Sequence, residues 1–325
     1  METQVVSIYM SPKLRKNIMA RKPNIILILA DDMGYGDAGC YGGKHLQTPA
    51  IDTLADRGLR FTDFHSNAPV CSPTRAALLT GCYQQRCGIE GVISAKNHRE
   101  KGLSLENVTF ADLLKTAGYR TAVFGKWHLG ANYPYRPQDR GFEESVWFSS
   151  SHIGSVSDYW GNDYFDDTYW HNGEYQKFDG YCTDVFFGEA KKFIENSIEE
   201  EKPFFAYIPT NTPHGPFNAK EEDLKALEEL YEKSSFPGKN EALRNRLVPY
   251  LAMIRNIDTN VGSLMNFLVE KGVWQFGGTI HIKRLFPGLS ARDKAIEKVV
   301  IGTPEQKAFR APPRHIPRSR WVRRS

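Results

Sequence analysis

This 325-residue sequence predicts an α/β fold with a mainly parallel central sheet covered by helices, on three observations. Short apolar runs recur between helical segments. They are apolar throughout rather than alternating, as strands covered on both faces are. Polar and charged residues cluster where the runs end. With 41% hydrophobic and 25% charged residues the composition is that of an ordinary globular protein, and the length allows one large domain or two smaller ones.

Taken in order, Asn24 to Ala30 is a continuous apolar run, β-branched at first, followed at its carboxyl end by Asp31 and Asp32. Pro49 to Arg60 reads as a short helix with Thr48 as N-cap, and Phe61 to Phe64 as a short strand. Pro73 to Thr80 has proline at a helix start and Gly81 just past its end. Thr109 caps a helix running to Ala117, with Asp112 at the capping-box position and Gly118 as its stop. Tyr119 to Phe124 is a second buried strand, continuing into Gly125-Lys-Trp-His-Leu-Gly130. Residues 147–182, rich in Trp, Tyr, Asp and Asn, read as a surface insertion that shapes a cleft. Thr183 to Glu195 is an amphipathic helix. Pro203 to Pro209 is a third apolar strand leading into Thr-Asn-Thr-Pro-His214, and Tyr250 to Lys271 is a long helix stopped by Gly272.

Ligands of open parallel sheets bind at the carboxyl ends of the strands. Asp31, Asp32, Lys126, His128 and His214 all follow strand ends, from three strands, so the sequence points to one shared site.

Charge and cysteine use exclude several classes. Acidic residues outnumber basic ones by about five up to Gly272, and basic residues exceed acidic ones by about nine after it. The first part therefore has no global pull towards nucleic acid. Five cysteines, an odd number, are too few for a disulfide scaffold. No run approaches the roughly 18 apolar residues of a membrane span, and no export signal is visible. We expect residues 1–21 to be a disordered basic extension and 273–325 a disordered basic tail.

The chemistry concentrates in Cys71-Ser-Pro-Thr-Arg75-Ala-Ala-Leu-Leu-Thr-Gly81. Cys71 is placed just before a helix N-terminus, where backbone N–H groups favour an anion. Arg75, four residues on, shares its face and adds a fixed positive charge. A nucleophile and an anion site thus fit into one helical turn. Lys126 and His128, two apart in an extended segment, point the same way. Asp31 and Asp32 offer hard oxygen donors suited to Ca²⁺ or Mg²⁺.

These segments resemble the formylglycine-dependent (type I, arylsulfatase-like) sulfatases of the alkaline phosphatase superfamily. The match covers about residues 22–272: Cys-x-Pro-Thr-Arg with Leu-Thr-Gly, Asp-Asp-Met-Gly-Tyr-Gly-Asp, Gly-Lys-Trp-His-Leu-Gly and the shorter Thr-Pro-His-Gly-Pro. The resemblance implies an alkaline-phosphatase-like α/β/α sandwich. It implies that a maturase oxidises Cys71 to formylglycine (3-oxoalanine), whose hydrate attacks the sulfur of a sulfate ester. By the same carry-over Asp31, Asp32 and residue 71 bind Ca²⁺, with Mg²⁺ as the alternative. Arg75 and Lys126 hold sulfate and hydrate oxygens, His128 is the base that expels sulfate, and His214 helps protonate the leaving oxygen. Asp37 reads as a turn residue. His152 and His171, which match no motif, read as structural or exposed, although either could touch substrate.

The expected activity is sulfuric ester hydrolysis. The alternatives are a phosphate or phosphonate monoester hydrolase of the same superfamily, or a catalytically dead remnant. The expected substrate is a sulfated small molecule or carbohydrate, with Trp160, Tyr169 and Trp170 placed to stack on it. Members of the family are commonly periplasmic, secreted or lysosomal. The chain departs from the family after about residue 272. The family's next strand ends in Ser-Asp-Asn-Gly, which completes the metal site, and a smaller C-terminal subdomain follows. Here no Asn follows residue 272 and the only Asp is Asp293. We read this as a truncation or frameshift that leaves a sheet edge open and the metal weakly held.

Overall fold

A computed structural model describes residues 22–94, 99–234 and 238–274, and the backbone of 279–285 and 298–300. Nine strands form one sheet: β1 (Ile25–Asp31), β2 (Leu59–Arg60), β3 (Arg120–Lys126), β4 (Glu144–Phe148), β5 (Thr168–His171), β6 (Glu174–Lys177), β7 (Phe204–Pro213), β8 (Thr279–Leu285) and β9 (Lys298–Val300). Their order is β2-β9-β8-β1-β7-β3-β4-β5-β6. The central strands β8, β1, β7, β3 and β4 are parallel, and the flanking ones antiparallel.

Helices lie on both faces, because β1, β3 and β7 each present apolar residues to either side. Ile26, Ile28, Ala122, Phe124, Ala206 and Ile208 join a core with α1 (Pro49–Arg57), α5 (Cys182–Glu199) and α7 (Glu241–Glu270). Leu27, Leu29, Val123, Phe205 and Tyr207 join a second core with α2 (Cys71–Thr80) and α4 (Phe110–Thr116). The four-residue α3 (Gln84–Cys87) and the 13-residue α6 (Glu221–Lys233) complete the described α-helices. This is the α/β/α sandwich expected.

Several expectations are corrected. The strand placed at Phe61–Phe64 lies at Leu59–Arg60 instead. Residues 147–182 are not a surface insertion throughout: β4, β5 and β6 extend the sheet, and Trp147, Tyr164 and Tyr169 are buried. The long helix begins at Glu241, capped by Asn240, and carries Pro249 inside it. The tail contributes β8, which pairs in parallel with β1 from Ile25↔Thr279 to Asp31↔Leu285, so β1 is no sheet edge. The tail also supplies β9, antiparallel to β8; its residues 275–278, 286–297 and 301–325, and residues 1–21, lie outside the described residues.

Thr48 does not cap α1 with its side chain. Its hydroxyl donates to Asp52 Oδ1 (3.0 Å) and accepts from the Gly39 N–H (2.9 Å). The cap comes from 200 residues downstream, where the buried Asp258 of α7 accepts from the N–H groups of Ile51 (2.8 Å) and Ala50 (3.3 Å). Truncating a capping carboxylate strands those amides, so Asp258→Ala should lower the unfolding free energy by about 1–2 kcal/mol. Urea denaturation would measure this, and an unchanged midpoint would remove Asp258 as the cap.

Candidate active site

The site sits at the carboxyl ends of β1, β3 and β7, facing the N-terminus of α2. Cys71 is the first residue of α2 rather than the residue before it, with Val70 as N-cap. Its Sγ lies 3.1 Å from His128 Nδ1. Arg75, one turn on, is fully buried, donates to the Lys126 carbonyl (2.6 Å) and places Nη2 3.4 Å from Asp31 Oδ1. Lys126, the last residue of β3, puts Nζ 2.5 Å from Asp31 Oδ2. One buried carboxylate therefore meets two buried cations.

That arrangement sets the charge state of Asp31. Burial alone would push its carboxyl up, but Lys126, Arg75 and His214 outweigh it and hold it at about 2. Asp31 Oδ1 and Arg75 Nε and Nη2 are buried without a hydrogen-bond partner. Buried polar atoms of that kind mark a place built for a further group.

His128 is poised in one tautomer. Its Nε2 lies 2.7 Å from the Ile93 carbonyl, which can only accept, so Nε2 carries the proton. Burial, and next Lys126, hold its pKa well below 6.5. The neutral ring thus turns a bare Nδ1 towards residue 71. The backbone here is unusual: His128 and Asp32 both have positive φ, at 58° and 69°. Residues in such conformations persist where the surroundings over-determine them. Gly125 makes the approach possible, since a Cβ there would collide with the Pro209 carbonyl of β7.

Asp32 is held from a distance. The Tyr250 hydroxyl of α7 donates to Asp37 Oδ2, accepts from the Gly34 N–H (2.9 Å) and lies 3.1 Å from the Asp32 carbonyl. Asp37 also accepts from Gly34, so its carboxylate is spent on the turn. His214 follows an irregularity in β7, where pairing with β1 passes from Leu29↔Pro209 to Asp31↔Pro213. Strand irregularities of this kind re-aim side chains at strand ends. The Thr210 hydroxyl pins this one to the Leu29 and Thr212 carbonyls (3.3 and 2.8 Å). His214 Nδ1 donates to the Gly215 carbonyl (2.5 Å), and Nε2 faces Asp32 Oδ2 at 3.7 Å. Burial, then Lys126, lowers its pKa.

All the residues expected from the strand ends and from the Cys71 helix therefore converge. The donor set fits a hard divalent cation in kind: two adjacent carboxylates, one with a buried oxygen lacking a hydrogen-bond partner. It falls short in number, since among the described residues no group of three or more His, Cys, Asp or Glu side chains is placed to hold an ion. The aromatic candidates divide. Tyr169 is 1% exposed and its hydroxyl bonds Asp167 Oδ2 (2.7 Å), so it is a core residue closed to substrate. Trp170 packs on Trp147 and Tyr175, whereas Trp160 is 95% exposed. Sequence reasoning passed over Tyr250, whose only signal was its place in a helix. It read His152 as structural or exposed, with substrate contact as the alternative, and missed that its ring stacks on His214.

A carboxylate pair, two cations, a helix N-terminus and two histidines at the ends of a parallel sheet define a site for a tetrahedral oxyanion ester. The chain belongs to the sulfatase family, whose model matches residues 23–275. It is 47% identical to human arylsulfatase A over 136 residues, 41% of this chain and 27% of that protein. It is 31% identical to rat N-acetylgalactosamine-6-sulfatase over 271 residues, 77% and 47% of the two chains. The chain thus spans less than half the length of either relative. Among solved structures it resembles Ps i-CgsB in complex with k-i-k-neocarrahexaose, with a TM-score of 0.75, 27% identity, and 88% of this chain and 66% of that one covered. Among the described residues no helix is long and apolar enough to cross a membrane.

Proposed function

We propose that this site hydrolyses sulfate esters through a formylglycine made from Cys71. The observation that carries the reading is Cys71 at the first position of α2, with the bare Nδ1 of His128 on its Sγ and Arg75 one turn below. As the hydrated aldehyde, residue 71 supplies the oxygen that attacks sulfur; Asp31, Asp32 and residue 71 would hold Ca²⁺ or Mg²⁺, which would supply positive charge against the sulfate. Arg75 and Lys126 add fixed cations that need no rearrangement as charge develops. Attack leaves residue 71 as a sulfated hemiacetal; His128 Nδ1 takes the proton of its remaining hydroxyl, the C–O bond to sulfate breaks, and sulfate leaves as the aldehyde re-forms. His214 Nε2, when protonated, gives a proton to the departing alcohol oxygen. Trp160 offers an aromatic face for a sulfated carbohydrate; Ps i-CgsB, solved with a carrahexaose, supports that class.

The test is turnover by the chain co-expressed with a formylglycine-generating maturase, on paired nitrophenyl sulfate and phosphate, with and without calcium. Calcium-dependent sulfate cleavage is expected. Faster phosphate cleavage would replace the reading with a phosphomonoesterase.

The histidines predict the pH profile. The base must be neutral and the acid protonated, and the pKa of His128 lies well below 6.5 while that of His214 is lowered to a lesser degree. Cleavage of an unactivated sugar sulfate should therefore peak on the acid side and fall as pH rises through the lowered His214 value. A nitrophenyl leaving group needs no proton, so its alkaline limb should flatten. A sugar-sulfate rate that rises to a plateau above neutrality would contradict the assignment of His214.

A further inference from the structure

We propose that His152 is a positioning residue for His214, holding its ring in the plane that aims Nε2 at the departing oxygen. The inference rests on the sulfate-ester reading above. His152 lies in the loop after β4, and its ring stacks on that of His214 with centroids 5.7 Å apart and planes inclined by 22°. The loop is fastened at this residue. The His152 carbonyl accepts from the Ser150 hydroxyl (2.5 Å), the Ser155 hydroxyl (2.8 Å) and the Ser155 N–H (3.2 Å). Ser151 Oγ lies 3.2 Å from His152 Nδ1. The loop is therefore fixed at the His152 backbone, and Ser151 and the stacked His214 ring orient the His152 ring from it.

The His214 ring is held at one nitrogen only. Its Nδ1 donates to the carbonyl of the next residue, and Nε2 stands 3.7 Å from Asp32, too far for a hydrogen bond. One hydrogen bond leaves the ring free to swing about it, and a flat neighbour on its face removes that freedom. Offset stacking of aromatic rings supplies a modest attraction and a strong orientational bias. Misplacing a catalytic group by about 1 Å can cost about 100-fold in rate.

The experiment compares His152→Ala and His152→Phe with the parent full-length chain, each co-expressed with maturase. Phe keeps a flat ring without the nitrogens. For a sugar or alkyl sulfate, whose leaving oxygen needs a proton, His152→Ala should lower kcat by about 10- to 100-fold with KM little changed. For nitrophenyl sulfate the loss should stay under about 3-fold, and His152→Phe should recover most of the sugar-sulfate rate. Equal losses on both esters would overturn the proposal. So would a Phe variant as impaired as Ala, or a raised KM with kcat kept, which would make His152 a substrate contact.

A second arm needs no turnover. The His214 Nδ1–H held by Gly215 should give a slowly exchanging imidazole resonance in nitrogen-edited NMR of the parent chain and of His152→Phe, broadened in His152→Ala. The same resonance in all three would overturn the proposal. An absence of turnover on every ester would instead fall on the sulfate-ester reading.

Discussion

Maturase added to the folded chain is expected to leave Cys71 unconverted, whereas maturase present during synthesis converts it. On the formylglycine reading a maturase would have to reach a segment that is packed away: Cys71 is 9% exposed, and Ser72, Thr74 and Arg75 are fully buried. Each is also tied down. Ser72 Oγ accepts from the Ile93 N–H (3.1 Å), and the Thr74 hydroxyl bonds the Ala68 and Val70 carbonyls (3.1 and 2.9 Å). Arg75 holds the Lys126 carbonyl and Asp31. Presenting this segment in extended form means unwinding the first turn of α2 and pulling a buried guanidinium off its carboxylate. Breaking such a pair costs about 3–5 kcal/mol before any other contact is counted. Mass analysis of the peptide containing residue 71 reads the outcome directly. Equal conversion in the two orders of addition would show that α2 opens freely, against the packing described.

The parts of the fold that could be read from the chain are those where one physical signal dominates. β1, β3 and β7 are buried on both faces, so their apolar runs stand out, and the residues after them become site candidates by topology alone. The region after Phe148 misleads because its polar residues have internal uses. Asp167, which looks like a surface acid, accepts from the N–H groups of Asp163 and Tyr164 and from the Tyr169 hydroxyl. That consumption of a carboxylate lets Tyr164 and Tyr169 lie inside a segment whose composition reads as exposed. Pro249 obscured the first third of α7 for a different reason, since proline in a helix interior usually ends or kinks it.

The candidate site divides in the same way. Residues carrying charge at strand ends are visible, but the ones that hold them are not. Tyr250 reaches the Asp32 loop from α7, and His152 reaches His214 from beyond β4, contacts that depend on packing between distant segments. No local pattern encodes them. The positive φ of Asp32 and His128 is equally hard to read in sequence, because Asp and His, though enriched there among non-glycine residues, adopt it only in a small minority of cases.

Replacing Asp31 with Ala should be the most destabilising change in the site, lowering the unfolding free energy by about 3–5 kcal/mol. Asp31 faces Lys126 and Arg75, all three side chains being fully buried. Its removal leaves two like charges in the interior with no counter-ion, whereas Lys126→Met leaves Asp31 still opposed by Arg75. Asp31→Ala should therefore cost more than Lys126→Met, although it deletes a smaller side chain. The two effects separate by pH. The Asp31 carboxyl falls from 3.8 to about 2 on folding. A lowered folded-state value contributes stability that is present above 3.8 and lost as pH falls towards 2, worth about 2 kcal/mol. Urea midpoints between neutral pH and pH 2 should thus drop more steeply for the parent than for Asp31→Ala, narrowing the gap between the two curves by about 2 kcal/mol in acid. Parallel curves would mean that Lys126 and Arg75 find other partners when Asp31 is gone, and that the carboxylate contributes charge to the site without holding the strand ends together.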